Sequence, residues 1–154
     1  FPEYKEAKEY ALYFANVIYK PSYISLFTAL SFYGIIPETV PQITSVTTLK
    51  TTRFSNEFGE YSYKNIKPEL MFGYDLKEME GGRRIMFATP EKALADLLYL
   101  YPFYNTEHEL EELRLDESYM EDDFNTDRLM EYSYRIGSKA LTNRIAILRK
   151  VHNL

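Results

Sequence analysis

No cysteine occurs among the 154 residues. That excludes disulfides and thiolate metal sites, and it suits a reducing compartment, so a cytoplasmic location is the expectation. No apolar run approaches the length that a bilayer-spanning helix needs, and no membrane partner is expected. No basic-then-apolar leader opens the chain. It begins on Phe1 rather than Met, which leaves room for an upstream domain. Histidine is scarce: His108 and His152 stand alone, in the spacing of no zinc motif and no catalytic triad. Gly81-Gly82 lacks the Lys-Ser or Lys-Thr that completes a phosphate-binding loop. Ser22-Tyr23-Ile24-Ser25 lacks the flanking glycines of a nucleophile elbow and reads instead as a helix start with two candidate caps. The chain carries almost no enzyme signal. No catalytic residue, metal ligand or cofactor is expected.

What is present has the size of one domain, large enough to bury roughly 70% of its unfolded surface. A net charge of −5 argues against non-specific nucleic-acid binding by the whole chain. The charge is unevenly spread. Residues 107–131 hold 11 acids against Arg114 and Arg128, whereas residues 132–154 hold five bases and no acid. Either the two blocks face each other or they are solvated surfaces with separate roles.

Apolar residues at helical spacing predict an amphipathic helix over 3–19, with Pro2 at its first turn and Tyr4, Ala7, Ala11, Phe14, Ala15 and Ile18 on one stripe. A second helix is expected over 22–33, stopped by Gly34 in a left-handed conformation. Residues 42–54 are rich in Thr, Val and Ile and read as one strand. Further strands are expected around 61–66, 70–76 and 84–88, with a turn at Asn56–Gly59. Thr89-Pro90-Glu91 opens a helix over 90–101, capped by Thr89. Two more helices are expected at 126–136, ending at Gly137, and at 139–152. The fold class is therefore α/β of the α+β type: a mainly antiparallel or mixed sheet of about four strands flanked by helices. An α/β core would occupy residues 1–104, with a helical extension, 105–154, packed on the same domain.

Several segments carry a family likeness. They are Ala15–Leu26, Ala29–Glu38, Thr44–Thr48 with Lys50 and Phe54, Tyr63, Ile66-Lys67-Pro68, Phe72-Gly73-Tyr74, and Ala88–Tyr99. In order and spacing they resemble the part of AbiEi-family antitoxins that follows a winged helix–turn–helix. The resemblance covers residues 15–100 and stops there. It implies the antitoxin half of a bacterial toxin–antitoxin module used in abortive infection, a phage defence. The implied partner is a nucleotidyltransferase-like toxin or that toxin's RNA target. Operator DNA and transcriptional regulation would belong to an N-terminal domain absent from these residues.

Two constellations invite chemistry. Lys92 and Asp96 stand four apart on a helix, with Glu91 about 100° round. Together they could serve a metal-dependent nucleic-acid-processing enzyme or organise a partner surface. The simpler reading is a first-turn acid beside an exposed ion pair. The strand over 42–54 would place Ser45, Thr47, Thr51 and Arg53 on one face, with Thr44, Val46, Thr48 and Lys50 on the other. Lys50, Arg53 and Lys67 could converge at one end of the sheet as contacts to RNA or DNA, although Thr is also a good strand residue. Most of the 15 tyrosines read as structural. Tyr61 to Lys67 is the one stretch resembling a platform for stacked bases.

Overall fold

The computed structural model of the chain describes residues 2–79 and 81–154, with side chains described from residue 8 onward. Among them are seven α-helices and a six-stranded mixed sheet of order β3-β4-β2-β1-β6-β5. The strands are β1 (Ser22–Ile24), β2 (Ile43–Thr47), β3 (Thr52–Asn56), β4 (Gly59–Asn65), β5 (Tyr74–Glu78) and β6 (Arg84–Ala88). β1–β2, β3–β4 and β5–β6 pair antiparallel; β2–β4 and β1–β6 pair parallel. The α+β class is as expected, with more strands than the pattern promised.

Helix α1 (Pro2–Ile18) buries Ala11, Leu12 and Ala15. The expected contributions of the Pro2, Tyr4 and Ala7 side chains lie outside the described residues. Asn16 fixes α1 to the sheet: its amide nitrogen donates to the Met86 carbonyl (3.3 Å), and its oxygen accepts from the Met86 N–H (2.6 Å).

The expected helix over 22–33 is corrected. Ser22–Ile24 is a wholly buried strand inside the sheet, and α2 runs only from Leu26 to Phe32. Ser25 stands at the helix N-cap but makes no cap bond. Ser22 donates instead to the carbonyls of Ala15 and Tyr19. Gly34 does adopt the left-handed conformation, at φ +76°.

Residues 42–54 are likewise not one strand. Asn65 breaks them: its side chain donates to the carbonyls of Thr48 and Leu49, and its N–H donates to Thr51 Oγ1. The loop so held lets β4 insert between β2 and β3. This resets the alternation. Arg53 pairs with Ser62, which pairs with Thr44, so Arg53 shares a face with Thr44 and Val46 rather than with Ser45 and Thr47. The stretch after Pro68 begins with a single 3-10 turn, Pro68–Leu70, so β5 starts at Tyr74.

The registers sort the two faces. Ile24, Ser45 and Tyr63 share one, and Tyr63 donates to the Ala15 carbonyl of α1. Tyr23, Val46 and Lys64 share the other, beneath α2 and α3 (Pro90–Leu100). On α3, Thr89 accepts from the Lys92 N–H at 3.2 Å and Pro90 occupies the first turn, as the sequence predicts.

The acidic stretch contains two short helices that its composition did not signal, α4 (Glu107–Glu111) and α5 (Glu117–Asp122). Thr106 and Glu109 form a capping box on the first, and Asp116 caps the second. Helices α6 (Thr126–Ile136) and α7 (Lys139–His152) keep their expected bounds, with Gly137 left-handed between them. Leu129, Leu141, Ile145 and Leu148 join Leu94, Leu97 and Leu98 of α3 in one continuous core. Each such leucine contributes roughly 1.5–3 kcal/mol by burial, so α6 and α7 are integral to the fold. The acidic and basic blocks do meet, in part: Lys150 pairs with Glu107 at 2.5 Å. Arg144 donates to the Leu98 carbonyl and the Asn105 side chain.

Candidate functional site

The Glu91, Lys92 and Asp96 trio is buried, not exposed: relative accessibilities are 2%, 0% and 2%. The reason is β1. Its central residue Tyr23 points up at α3 and donates its hydroxyl to Asp96 Oδ2 at 2.8 Å, while Ser25 donates to the same oxygen at 2.8 Å. Lys92 Nζ pairs with Asp96 Oδ1 (2.8 Å) and donates to the Tyr23 hydroxyl (2.8 Å) and the Leu70 carbonyl (2.9 Å). All three ammonium donors are used, and both carboxylate oxygens accept. Tyr23 donates to one charge and accepts from the other, which closes a ring. Burial, reinforced by the Asp96 charge, raises the Tyr23 pKa well above its ordinary value and keeps the phenol neutral.

The aromatic surroundings complete the cage. The Lys92 ammonium lies 4.5 Å from the centre of the Phe72 ring, Arg135 stands 3.9 Å from that ring, and Tyr74 stacks on Tyr23 at 4.8 Å. Gly73 is required here. At φ +74°, a Cβ would lie 2.8 Å from Lys92 Cγ.

Glu91 looks elsewhere. Its carboxylate accepts from the Asn125 N–H at 3.1 Å and pairs with Arg128 at 3.3 Å, clamping the start of α6. The two acids of the trio therefore serve different elements and do not converge on a common point. As surface contacts for a partner, Glu91, Lys92 and Asp96 are corrected, because none reaches the surface. Among the described residues no group of three or more acidic or histidine side chains is placed to hold a metal ion.

The basic candidates divide. Lys50 and Lys67 are exposed and follow the C-terminal ends of the parallel strands β2 and β4. The Lys50 carbonyl is held by the Tyr19 hydroxyl at 3.2 Å. Arg53 leaves them. From β3 it lines an open groove of about 660 Å³ together with Lys64, Gln42, Thr51, Phe27 and Tyr101. The expected three-way convergence is thus replaced by an Arg53–Lys64 pair on the sheet face that α2 and α3 leave partly uncovered.

The β2 hydroxyls are buried: Thr47 donates to the Pro21 carbonyl and Thr44 to the Ser25 carbonyl, while the Ser45 hydroxyl has no hydrogen-bond partner among the described residues. Tyr61 and Tyr63 are buried on the α1 face, so they form no stacking platform. Lys64, Phe27 and Tyr101 were missed by sequence reasoning. The alternation of Ser62 and Lys64 against Tyr61 and Tyr63 already marked Lys64 as facing away from the aromatic side. Nothing local linked it to Tyr101, whose ring lies under its ammonium at 5.0 Å. His108 is exposed beside Glu112, and His152 contacts the Leu110 carbonyl. Among the described residues no helix is long and apolar enough to cross a membrane. No protein-family model matches the chain, and no curated protein matches it either.

Proposed function

We propose that this chain is the antitoxin, regulatory part of a bacterial toxin–antitoxin pair, acting in the cytoplasm against a nucleotidyltransferase-like toxin. Operator binding and autoregulation would belong to a DNA-binding domain outside these residues. One observation carries the reading. The separated segments that resemble AbiEi antitoxins meet in a single network: Tyr23 and Ser25 from the first, Gly73 from another, Lys92 and Asp96 from the last. Each segment is a weak match alone. Their mutual contact is what a fold common to these segments would require, and it supports the reading. The polar groups that look most catalytic are bonded to one another, which suits a scaffold that presents a surface. The metal-enzyme alternative draws no support from Glu91 and Asp96, whose carboxylates are held by different elements.

Co-expression tests the proposal. The chain, made with the product of its neighbouring reading frame, is expected to restore growth that this product alone suppresses. Unrelieved toxicity in the presence of well-folded chain would refute the antitoxin role.

A further inference from the structure

The groove beside Arg53 and Lys64 has a composition that selects a ligand. Its volume lies within the range of roughly 300–1,000 Å³ usual for small-ligand sites. It exists because α2 and α3 roof β1 and β2 but leave the outer half of that sheet face bare. Arg53 pairs directly with Ser62, and Lys64 is the next residue on the same face of β4. The two cations are therefore diagonal neighbours, with backbones roughly 7–8 Å apart. Among the described residues neither has a carboxylate within ion-pair distance. Glu60, diagonal to Arg53 on the side away from Lys64, shares an adjoining hollow with Arg53 and does not line the groove. Beside the cations stand two half-buried rings: Tyr101, 5.0 Å beneath the Lys64 ammonium, and Phe27, which meets Tyr101 edge to face at 5.5 Å. The Gln42 side chain adds an amide that can both donate and accept.

Two cations beside two aromatic rings in one groove fit a ligand that joins an anion to a flat ring. We infer that the groove binds a nucleoside phosphate, its phosphate on Arg53 and Lys64 and its base against Phe27 and Tyr101. An acidic peptide would satisfy the cations and leave the rings unused, and a lipid phosphate would bring no flat ring to them. The nucleoside phosphate could be a free nucleotide or a unit of an RNA strand. Either source presents the same chemistry. The inference stands on the groove alone and does not require the antitoxin reading.

Calorimetric titration of the intact chain with ATP, and separately with a short unstructured oligouridylate, tests it. Tighter binding of ATP assigns the groove to free nucleotides; tighter, salt-dependent binding of the oligouridylate assigns it to RNA. Arg53→Gln and Lys64→Gln are each expected to weaken binding and, for RNA, to shallow the salt dependence by ~0.7 per lost phosphate contact. Tyr101→Leu keeps an apolar side chain at the end of α3 and removes the stacking face, so affinity should fall at least about fivefold. Lys139→Gln, an exposed cation on α7, should change nothing. Failure of both probes to bind at low salt overturns the inference, as does affinity indifferent to the Arg53→Gln/Lys64→Gln pair. A chain that protects against the toxin yet binds neither probe overturns the groove alone. One that binds and fails to protect overturns the antitoxin reading alone.

Discussion

The buried ion pair makes a quantitative claim that a double-mutant cycle can check. Lys92→Met keeps the volume of the stem and removes the ammonium, leaving the Asp96 carboxylate buried with only Tyr23 and Ser25 as donors. Asp96→Leu does the reverse and strands the ammonium beside Tyr23 and Leu70. Breaking a buried pair from one side costs about 3–5 kcal/mol, because an uncompensated charge stays behind. If the two losses were independent, the double variant would lose about 6–10 kcal/mol, more than many domains possess. It should lose far less. With both charges gone the desolvation penalty disappears, and what remains is the Tyr23 hydroxyl, the Ser25 hydroxyl and the Leu70 carbonyl. Each costs about 1–3 kcal/mol where it finds no new partner.

The double variant is therefore expected to lie close to the single variants, with a coupling energy of about 3 kcal/mol or more, at the top of the range for contacting residues. An exposed pair at the same spacing would couple by only about 0.3–0.5 kcal/mol. Urea unfolding followed by far-ultraviolet circular dichroism, read at constant m-value, gives all four corners. A coupling no larger than the exposed value would refute the closed network.

Three other outcomes follow from the same geometry. Gly73→Ala should destabilise the fold by about 1–3 kcal/mol, since it forces an L side chain to positive φ and drives a methyl into the Lys92 stem; a variant as stable as the parent in the same urea assay would contradict that contact. Burial holds the phenols of Tyr23 and Tyr63 above the ordinary 10.0, so the unfolded chain releases those protons first. Their contribution to stability is complete below that value and is lost progressively as pH rises from it through the raised pKa of the folded state; a phenolate absorbance titration should show a late phase coincident with loss of circular dichroism. Glu91→Ala should cost more than Arg128→Ala, because the acid is 2% exposed and leaves the Asn125 N–H unbonded, whereas the Arg128 side chain is 47% exposed. Equal midpoints for the two variants would remove Glu91 as the clamp on α6.

The elements legible in the sequence are those whose signals are local. Thr89-Pro90 starts α3, Gly137 stops α6, and the helical periodicity after Ser138 gives α7. Each is settled within a turn or two of chain. What failed was set at long range. β1 is three residues long and becomes a strand because Tyr23 pairs with Val46 and Ile24 with Phe87. No periodicity of Ser-Tyr-Ile announces that. The break at 48–51 is made by Asn65, more than a dozen residues downstream, and with it went the face assignment of Arg53. The trio was legible in spacing and illegible in burial, although one sign was available. Ala93, Leu94, Ala95, Leu97 and Leu98 cover more than one side of α3, and a helix apolar on several sides is a buried helix. Charges on such a helix must find each other, and Lys92 and Asp96 do.

Residues with the spacing of a catalytic group hold β1 to α3, and the groove proposed for a nucleoside phosphate lies where α3 ends, with Lys64 over the Tyr101 ring. The network and the groove share α3: Lys92 and Asp96 fix its first turns, and Tyr101 at its end forms one wall. Linkage then makes a prediction that joins the two. A ligand that binds only the folded chain adds about 2.7 kcal/mol of stability at a hundredfold excess over its Kd, a large part of what Lys92→Met removes. Saturating nucleoside phosphate should therefore shift the urea midpoint of Lys92→Met upward, and by as much as it shifts the parent if α3 keeps its place. It should leave Arg53→Gln/Lys64→Gln nearly unmoved at the same concentration. Equal stabilisation of the groove variant and the network variant would mean that the ligand sits elsewhere, and the link between buried pair and surface groove would fail with it.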